Sequence, residues 1–384
     1  MSDATTNLAL ALGGGGARAA YQVGVLRCLA KSFPELQIPI LTGVSAGAIN
    51  ATFVANSRDN FREAVERLVA AWESMTIDQL FRSDPLALAI NALRWGLRLV
   101  SGGAQLMPPT RGLVNTAPFR EFLLKAMESP DEALQGIAEN CRQGRLKSVG
   151  ITTTNYTTGQ TVTWVQGDGL TMWERPQRRG ILTQLTIDHV MASSAVPIFF
   201  PAIQLGNDWH GDGGVRLTAP LSPALHLGAE RILAISTRYQ KTLSEADEPT
   251  TQGYPPPATV IGVLLNAVFL DMLDYDALIL KRLNGLIREL PEEKRSGFRT
   301  AELLVLRPSV DLDLLAGEYE STLPRSFRYL VRGFGTKDTK STGMLAMVLF
   351  APEFIHHVME IGEQDAERRR DEIAAFVTGK MCPT

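Results

Sequence analysis

Leu41-Thr42-Gly43-Val44-Ser45-Ala46-Gly47-Ala48-Ile49-Asn50 is the stretch whose reading decides the fold. An apolar run through Ile38, Ile40 and Leu41 enters a Gly-x-Ser-x-Gly turn, and a helix-forming segment, AGAINATFVAN, leaves it at once. Small residues on both sides of Ser45 let the backbone turn sharply between strand and helix. Such a turn lifts the hydroxyl out at the C-terminal edge of a sheet, where the helix N-terminus favours developing negative charge. Gly and Ser also populate ordinary turns, so the motif by itself leaves a plain strand-to-helix connection equally open.

Upstream, Asn7 to Leu12 (NLALAL) is a short apolar run that breaks into Gly13-Gly14-Gly15-Gly16. Ala17 to Leu26 then carries apolar residues at helical spacing. Strand, glycine loop, helix and the Ser45 strand make a βαβ unit of about thirty residues. A right-handed crossover between parallel strands puts the loop and Ser45 at the C-terminal edge of neighbouring strands. Two chemistries suit the loop. As a dinucleotide fingerprint, Gly14-x-Gly16 followed by Ala19 requires an acid at the end of the second strand. That strand ends in Gly43-Val44-Ser45, and Glu35 lies before it. As an oxyanion hole, the backbone N–H groups of Gly14, Gly15, Gly16 and Ala17 converge on a carbonyl oxygen and stabilise its tetrahedral charge. The second reading fits better. Arg18, on the first helical turn, either holds the loop through backbone hydrogen bonds or neutralises a substrate phosphate.

The 384 residues, 45% of them apolar, are enough for a large core, and a formal net charge of −3 gives no reason to expect a nucleic-acid partner. Arg178-Arg179 and Arg368-Arg369-Arg370 read as solvated surface. Cys28, Cys141 and Cys382 share no metal-ligand spacing, and reduced thiols in an intracellular protein account for them. The N-terminal MSDATTN lacks a basic residue and leads into an apolar run too short for a signal h-region. No stretch has the uncharged apolar length of a membrane span. The expectation is a cytoplasmic protein, at most peripheral at the inner membrane surface.

Along the rest of the chain, 58–72 reads as an amphipathic helix without chemistry. The segment 85–100 sets Leu86, Leu88, Ile90, Leu93, Trp95, Leu97 and Leu99 beside Arg94 and Arg98. It suits a core helix, a lid over an acyl site or a lipid contact. Val149 to Gln166 predicts a β-hairpin around Thr158-Gly159, and 186–194 a short helix. Asp212-Gly213-Gly214 falls at a tight turn after a short strand, where an Asp commonly satisfies local amides. RILAIST (231–237) and ELLVLRPS (302–309) predict buried strands, and the Pro- and acid-rich 239–259 predicts a mobile loop.

Three separated pieces, GGGGAR, GVSAG and DGG, together resemble patatin-like phospholipases in order and spacing. The text around Asp212 agrees: ASSAVPIFFPAI precedes it and PLSPALHLGAERILAIS follows it. FLDMLDYDALILKRLN and MLAMVLFAPEFIHHVMEIGEQDA are similar to a bacterial branch of that family. The resemblance covers most of the chain. One departure is Ala19 where the glycine loop usually closes with Gly, which adds a methyl and removes no backbone donor.

That resemblance implies an α/β fold of three layers, α/β/α, around a mainly parallel sheet, the patatin or FabD-lysophospholipase-like arrangement. It implies a single domain over 1–384, with a catalytic core at about 7–240 and helices and one strand of about 255–384 packed on it. It implies an acyl hydrolase without cofactor or metal, acting on a phospholipid or other acyl-ester lipid through a Ser–Asp dyad. Ser45 is then the nucleophile and Asp212 the base. Gly14, Gly15, Gly16 and Ala17 form the oxyanion hole, and Arg18, Gly43, Gly47, Gly213 and Gly214 support the site. Two alternatives stand beside it. One is a Ser-His-Asp esterase using one of His189, His210, His226, His356 or His357. Ser45 on only the second strand argues against that order. The other is a catalytically silent lipid- or protein-binding relative. Headgroup, ester position and oligomeric state are not legible.

Overall fold

The computed structural model describes residues 7–80, 112–197, 199–249, 253–325 and 343–379, together with Ile90, Arg328, Tyr329 and Arg332. The segment 85–100, read above as core, lid or lipid contact, lies outside the described residues apart from Ile90.

The NLALAL run forms the central strand β1 (Leu8–Leu12), buried on both faces. Leu8, Leu10 and Leu12 enter one apolar cluster, and Ala9 and Ala11 enter the other. Its neighbours are β2 (Ile40–Val44) on one side and β9 (Arg231–Ile235) on the other, both parallel to it. Outside β9 lies β10 (Glu302–Leu306), and outside β2 lies β3 (Ser148–Asn155), again parallel. Both strands expected at 231–237 and 302–309 are therefore present. β9 divides its residues as β1 does, Leu233 and Ile235 to one cluster, Ile232 and Ala234 to the other. The result is three layers, α/β/α, on a mainly parallel sheet.

The leucine face is covered by α1 (Ala20–Ser32), α2 (Ala46–Asn56), α3 (Phe61–Glu73) and the helix Pro352–Arg368. Phe354, Ile355, Val358 and Met359 of that last helix share a cluster with Tyr21, Val25 and Leu29 of α1. The alanine face receives Ser222–His226 and Met272–Glu289, through Ala224, Leu273 and Leu280. Among the described residues no helix is long and apolar enough to cross a membrane.

Beyond β3 the pattern turns antiparallel. β3 and β4 (Thr161–Gly167) form the expected hairpin, with Thr154 opposite Thr161. β5 (Glu174–Arg175) and β6 (Arg178–Leu182) continue the sheet past β4. The remaining pair is β7 (Ile203–Leu205) and β8 (Asp208–Asp212). β4 occupies one edge of β3 along its whole length, so β2 and β8 must share the other. β2 pairs as far as Val44 opposite Thr152, and antiparallel β8 begins where Asp212 faces Thr153. The two strands thus meet end to end, one running out into Ser45 and the other ending in Asp212. Residues 167 positions apart in sequence are adjacent because consecutive positions of one strand hold them.

In the expected loop 239–259, a short capped helix forms at Leu243–Ala246, where Thr242 accepts from the Glu245 N–H. Pro257 starts a further helix, Pro257–Phe269, with proline in the first turn. The acid-rich composition suggested mobility, but a Thr-x-x-Glu capping box is enough to fix one turn.

Candidate active site

Ser45 stands between β2 and α2 with φ 56° and ψ −131°, a conformation that a residue with a Cβ adopts only under constraint. The constraint is crowding. A Cβ on Gly43 would fall into the Gly47 carbonyl oxygen, and one on Gly47 into the carbonyl oxygens of Leu12 and Gly13. With hydrogen at both positions β1, β2 and α2 close together, and the strain is concentrated on Ser45. Its N–H donates to Ser193 Oγ at 3.1 Å, and Ser193 Oγ donates to the Thr152 carbonyl at 2.7 Å. The elbow is therefore pinned to β3.

Ser45 Oγ donates to Asp212 Oδ2 at 2.6 Å. The other carboxylate oxygen, Oδ1, accepts the Gly214 N–H at 2.9 Å. Asp212 N–H donates to the Ala195 carbonyl and its own carbonyl accepts from Thr154 Oγ1, so backbone and carboxylate are both fixed. The residue has no exposed surface. Burial lifts its carboxyl from the ordinary range to about 7, against the opposing hydrogen bonds from Ser45 and Gly214. A carboxylate near neutrality is a far better proton acceptor at pH 7 than one near 4.

The glycine loop lies directly over this pair. A Cβ on Gly14 would touch Ser45 Cβ at 3.2 Å. Gly15 has φ 154° and Gly16 φ 59°, both in the region that favours glycine. The loop is held by its carbonyls: Thr237 Oγ1 donates to Gly14 O at 2.7 Å, Arg18 Nε to Gly15 O at 3.2 Å, and Gln22 Nε2 to Gly13 O at 2.7 Å. Gly13 N–H donates to the Ile235 carbonyl, whereas the Gly14 and Gly15 N–H groups find no acceptor among the described residues. Gln22 is itself fixed by Asn50 on α2, which also accepts from the Trp72 indole at 2.8 Å.

Of the two roles open to Arg18, its contacts fit the first. It is 1% exposed, bonds Gly15 O, and pairs with Asp313 at 2.6 Å. Asn266 accepts from the same guanidinium nitrogen. A cation so enclosed ties the loop to the C-terminal third rather than meeting a phosphate from solvent.

The histidines lie elsewhere. His210 shares its Nδ1 with Thr153 Oγ1 at 3.0 Å and sets its ring edge-to-face against Trp164. Burial pushes it down to about 4, as it does His189. His189 caps its own helix through Thr186, His226 stacks on Trp173, His357 meets Tyr319, and His356 faces Glu360. None bonds Ser45 or Asp212.

On one side of Ser45 a cavity runs into the leucine layer, lined by Ala46, Ile49, Trp72, Met75, Leu80, Val114, Phe119, Val196, Phe199, Phe200, Met347, Val348 and Phe350. Among the described residues no charged side chain lines it. These residues come from five separated parts of the chain, which is why no local pattern disclosed them. Ser193, Thr237, Gln22 and Asn50 also escaped the sequence reading. All four lie in stretches quoted there, Ser193 inside ASSAVP and Asn50 at the end of the opening stretch, but none carries a role on spacing alone.

Residues 10–225 match the family described as patatin-like phospholipase. The chain belongs to that family. Membership supports lipid acyl hydrolase chemistry, and a lipid ester as substrate, in general. Among curated proteins, none matches the chain. Among solved structures the patatin-like chain is similar to human GIVD cytosolic phospholipase A2, with 11% identity and a TM-score of 0.50. That match covers 98% of this chain but only 60% of the human one. VipD from Legionella pneumophila is matched at 13% identity and a TM-score of 0.41, over 96% of this chain and 67% of that one. The type III effector ExoU is matched at 12% identity and a TM-score of 0.38, over 95% and 53%. At 11% identity the likeness to the human enzyme is one of fold.

Proposed function

We propose that this patatin-like chain is a serine hydrolase that cleaves fatty-acyl esters of phospholipids or lysophospholipids through a Ser45–Asp212 dyad. The observation that carries the reading is the 2.6 Å hydrogen bond from Ser45 Oγ to a fully buried Asp212 whose carboxyl is lifted to about 7. Ser45 Oγ attacks the acyl carbonyl and its proton passes to Asp212 Oδ2. The resulting oxyanion is met by the N–H groups of the loop Gly14 to Ala17, in a place where such donors are worth about 3 kcal/mol each. Collapse expels the alcohol, which takes the proton back from Asp212. Water then loses a proton to the same carboxylate, attacks the acyl-enzyme and frees the fatty acid and Ser45.

The apolar cavity beside Ser45 supports a hydrocarbon acyl group, since a chain without polar atoms leaves nothing unsatisfied there. Gly213 and Gly214 let the chain turn away so that an amide reaches Asp212 Oδ1. Hydrolysis of p-nitrophenyl butyrate and of a lipid panel, with products identified by mass spectrometry, tests the proposal. Both activities depend on Ser45 and on Asp212. Undiminished hydrolysis by Ser45→Ala contradicts it.

A further inference from the structure

Among the described residues, 9 of the 19 large apolar side chains that stand exposed lie between Val260 and Leu290. They belong to two consecutive helices, Pro257–Phe269 and Met272–Glu289, and the residue that ends the second. Each helix already has an inner stripe: Ile261 and Leu265 pack on one core cluster, Leu273 and Leu280 in the other. The outer stripe is surplus to folding. Val260, Val263 and Leu264, at helical spacing i, i+3 and i+4, share one face. Leu278, Leu283 and Leu286 lie along the outer side of the next helix. An exposed apolar face of this extent marks a contact with something apolar.

Its place and charge indicate what that is. Pro257–Phe269 contains no charged residue, and its last side chain, Phe269, fills the space over Gly14 and Gly214, beside Ser45. The same helix packs on Gly343–Val348, whose Met347 and Val348 line the apolar cavity. On the second helix Lys281, Arg282 and Arg288 are exposed and form no ion pair among the described residues. Its acids are mostly turned inward: Asp274 meets Arg238 and Arg307, and Asp276 accepts the Leu221 N–H, leaving Glu289 at the helix end. Apolar side chains bordered by unpaired cations suit the boundary of an anionic bilayer. A second copy of the same face would set these cations against each other.

We propose that this two-helix face docks on a lipid bilayer carrying anionic headgroups, setting the Ser45 site against the surface from which its substrate comes. The proposal rests on the acyl-hydrolase reading above, so its test separates docking from chemistry. Full-length protein carrying Ser45→Ala is sedimented with vesicles of phosphatidylcholine alone or of equal parts phosphatidylcholine and phosphatidylglycerol. Val263→Glu with Leu264→Glu lowers binding to the mixed vesicles at least about tenfold. Lys281→Glu with Arg282→Glu removes the preference for the anionic ones. In the Ser45 background both pairs hydrolyse p-nitrophenyl butyrate at the parent rate. Loss of that soluble activity in the parent itself would sink the hydrolase reading and leave the vesicle result standing.

If Val263→Glu with Leu264→Glu loses its circular dichroism signal, Leu283→Glu with Leu286→Glu reads the neighbouring helix and Val263→Trp must raise binding. Unchanged vesicle binding in folded variants overturns the proposal. So does a dimer that these substitutions turn into monomer while vesicle binding is unaffected, because the face is then a self-interface.

Discussion

Ser45 and Asp212 arrive at one hydrogen bond by different physics. Ser45 is set by its immediate neighbours: Gly43 and Gly47 permit contacts that no side chain would allow, and the backbone torsion follows. Asp212 is set from a distance, by the register of β8 on β3, the Ala195 carbonyl and burial under other layers. One residue is placed by what its sequence neighbours lack, the other by what the whole fold brings over it. The proposed division of labour follows the same line. A strained elbow presents the nucleophile, and desolvation turns a carboxylate into a usable base.

Removing the remote partner tests that contrast most severely. Asp212→Asn keeps shape and hydrogen bonding but cannot take a proton, so kcat for p-nitrophenyl butyrate falls at least about 10²-fold while circular dichroism is unchanged. Next in size is the loop. A Cβ at Gly15 would meet Thr237 Oγ1 at 2.5 Å and the residue has φ 154°, so Gly15→Ala displaces the loop amides. A loss of about 10- to 10²-fold in kcat/KM is expected, with Thr237→Ser sparing the Thr237-to-Gly14 bond and most activity. Equal losses in Gly15→Ala and Thr237→Ser contradict a loop held through its carbonyls.

Titration sharpens the comparison from the side of Asp212. Its carboxyl sits near 7, so kcat/KM rises about tenfold per pH unit below 7 and levels above it. Stability runs the other way. A carboxyl raised in the folded state binds more protons than the unfolded chain between about 4 and 7, so its contribution is full below about 4 and lost by about 7. Thermal melts of wild type against Asp212→Asn from pH 4 to 8 read this directly. The variant gains relative stability with rising pH, by at most ~4 kcal/mol. A constant difference across that range contradicts a buried, raised Asp212.

The smallest effect is expected at His210, two positions from Asp212. Its ring belongs to the Thr153–Trp164 cluster, so His210→Gln keeps kcat within about threefold. A loss comparable to that of Asp212→Asn would bring a histidine back into the mechanism.

The local half of this site was legible in the sequence. GGGG and GVSAG announce a strand-to-loop and a strand-to-helix turn because the glycines are needed where they stand. The short apolar run NLALAL likewise reads as the strand before the glycine loop, and β1 stands there with both faces covered. Asp212 was visible only through the family resemblance, since an Asp before two glycines is an ordinary turn and its burial depends on distant layers. The apolar cavity left no local trace. Trp72, Phe119, Phe200 and Phe350 lie far apart in the sequence, and only packing turns them toward Ser45. Arg18 carried two readings because its partners, Asn266 and Asp313, lie more than two hundred positions away.

The dyad itself is tested most directly by a fluorophosphonate with an alkyl chain, followed by peptide mass spectrometry and labelling rates from pH 5 to 9. The account predicts one adduct, on Ser45, forming at a rate that rises through a single ionisation near 7. Asp212→Asn should slow it at least about 10²-fold and His210→Gln should leave it nearly unchanged. Labelling of Asp212→Asn at the wild-type rate, or an adduct on any residue other than Ser45, would contradict it.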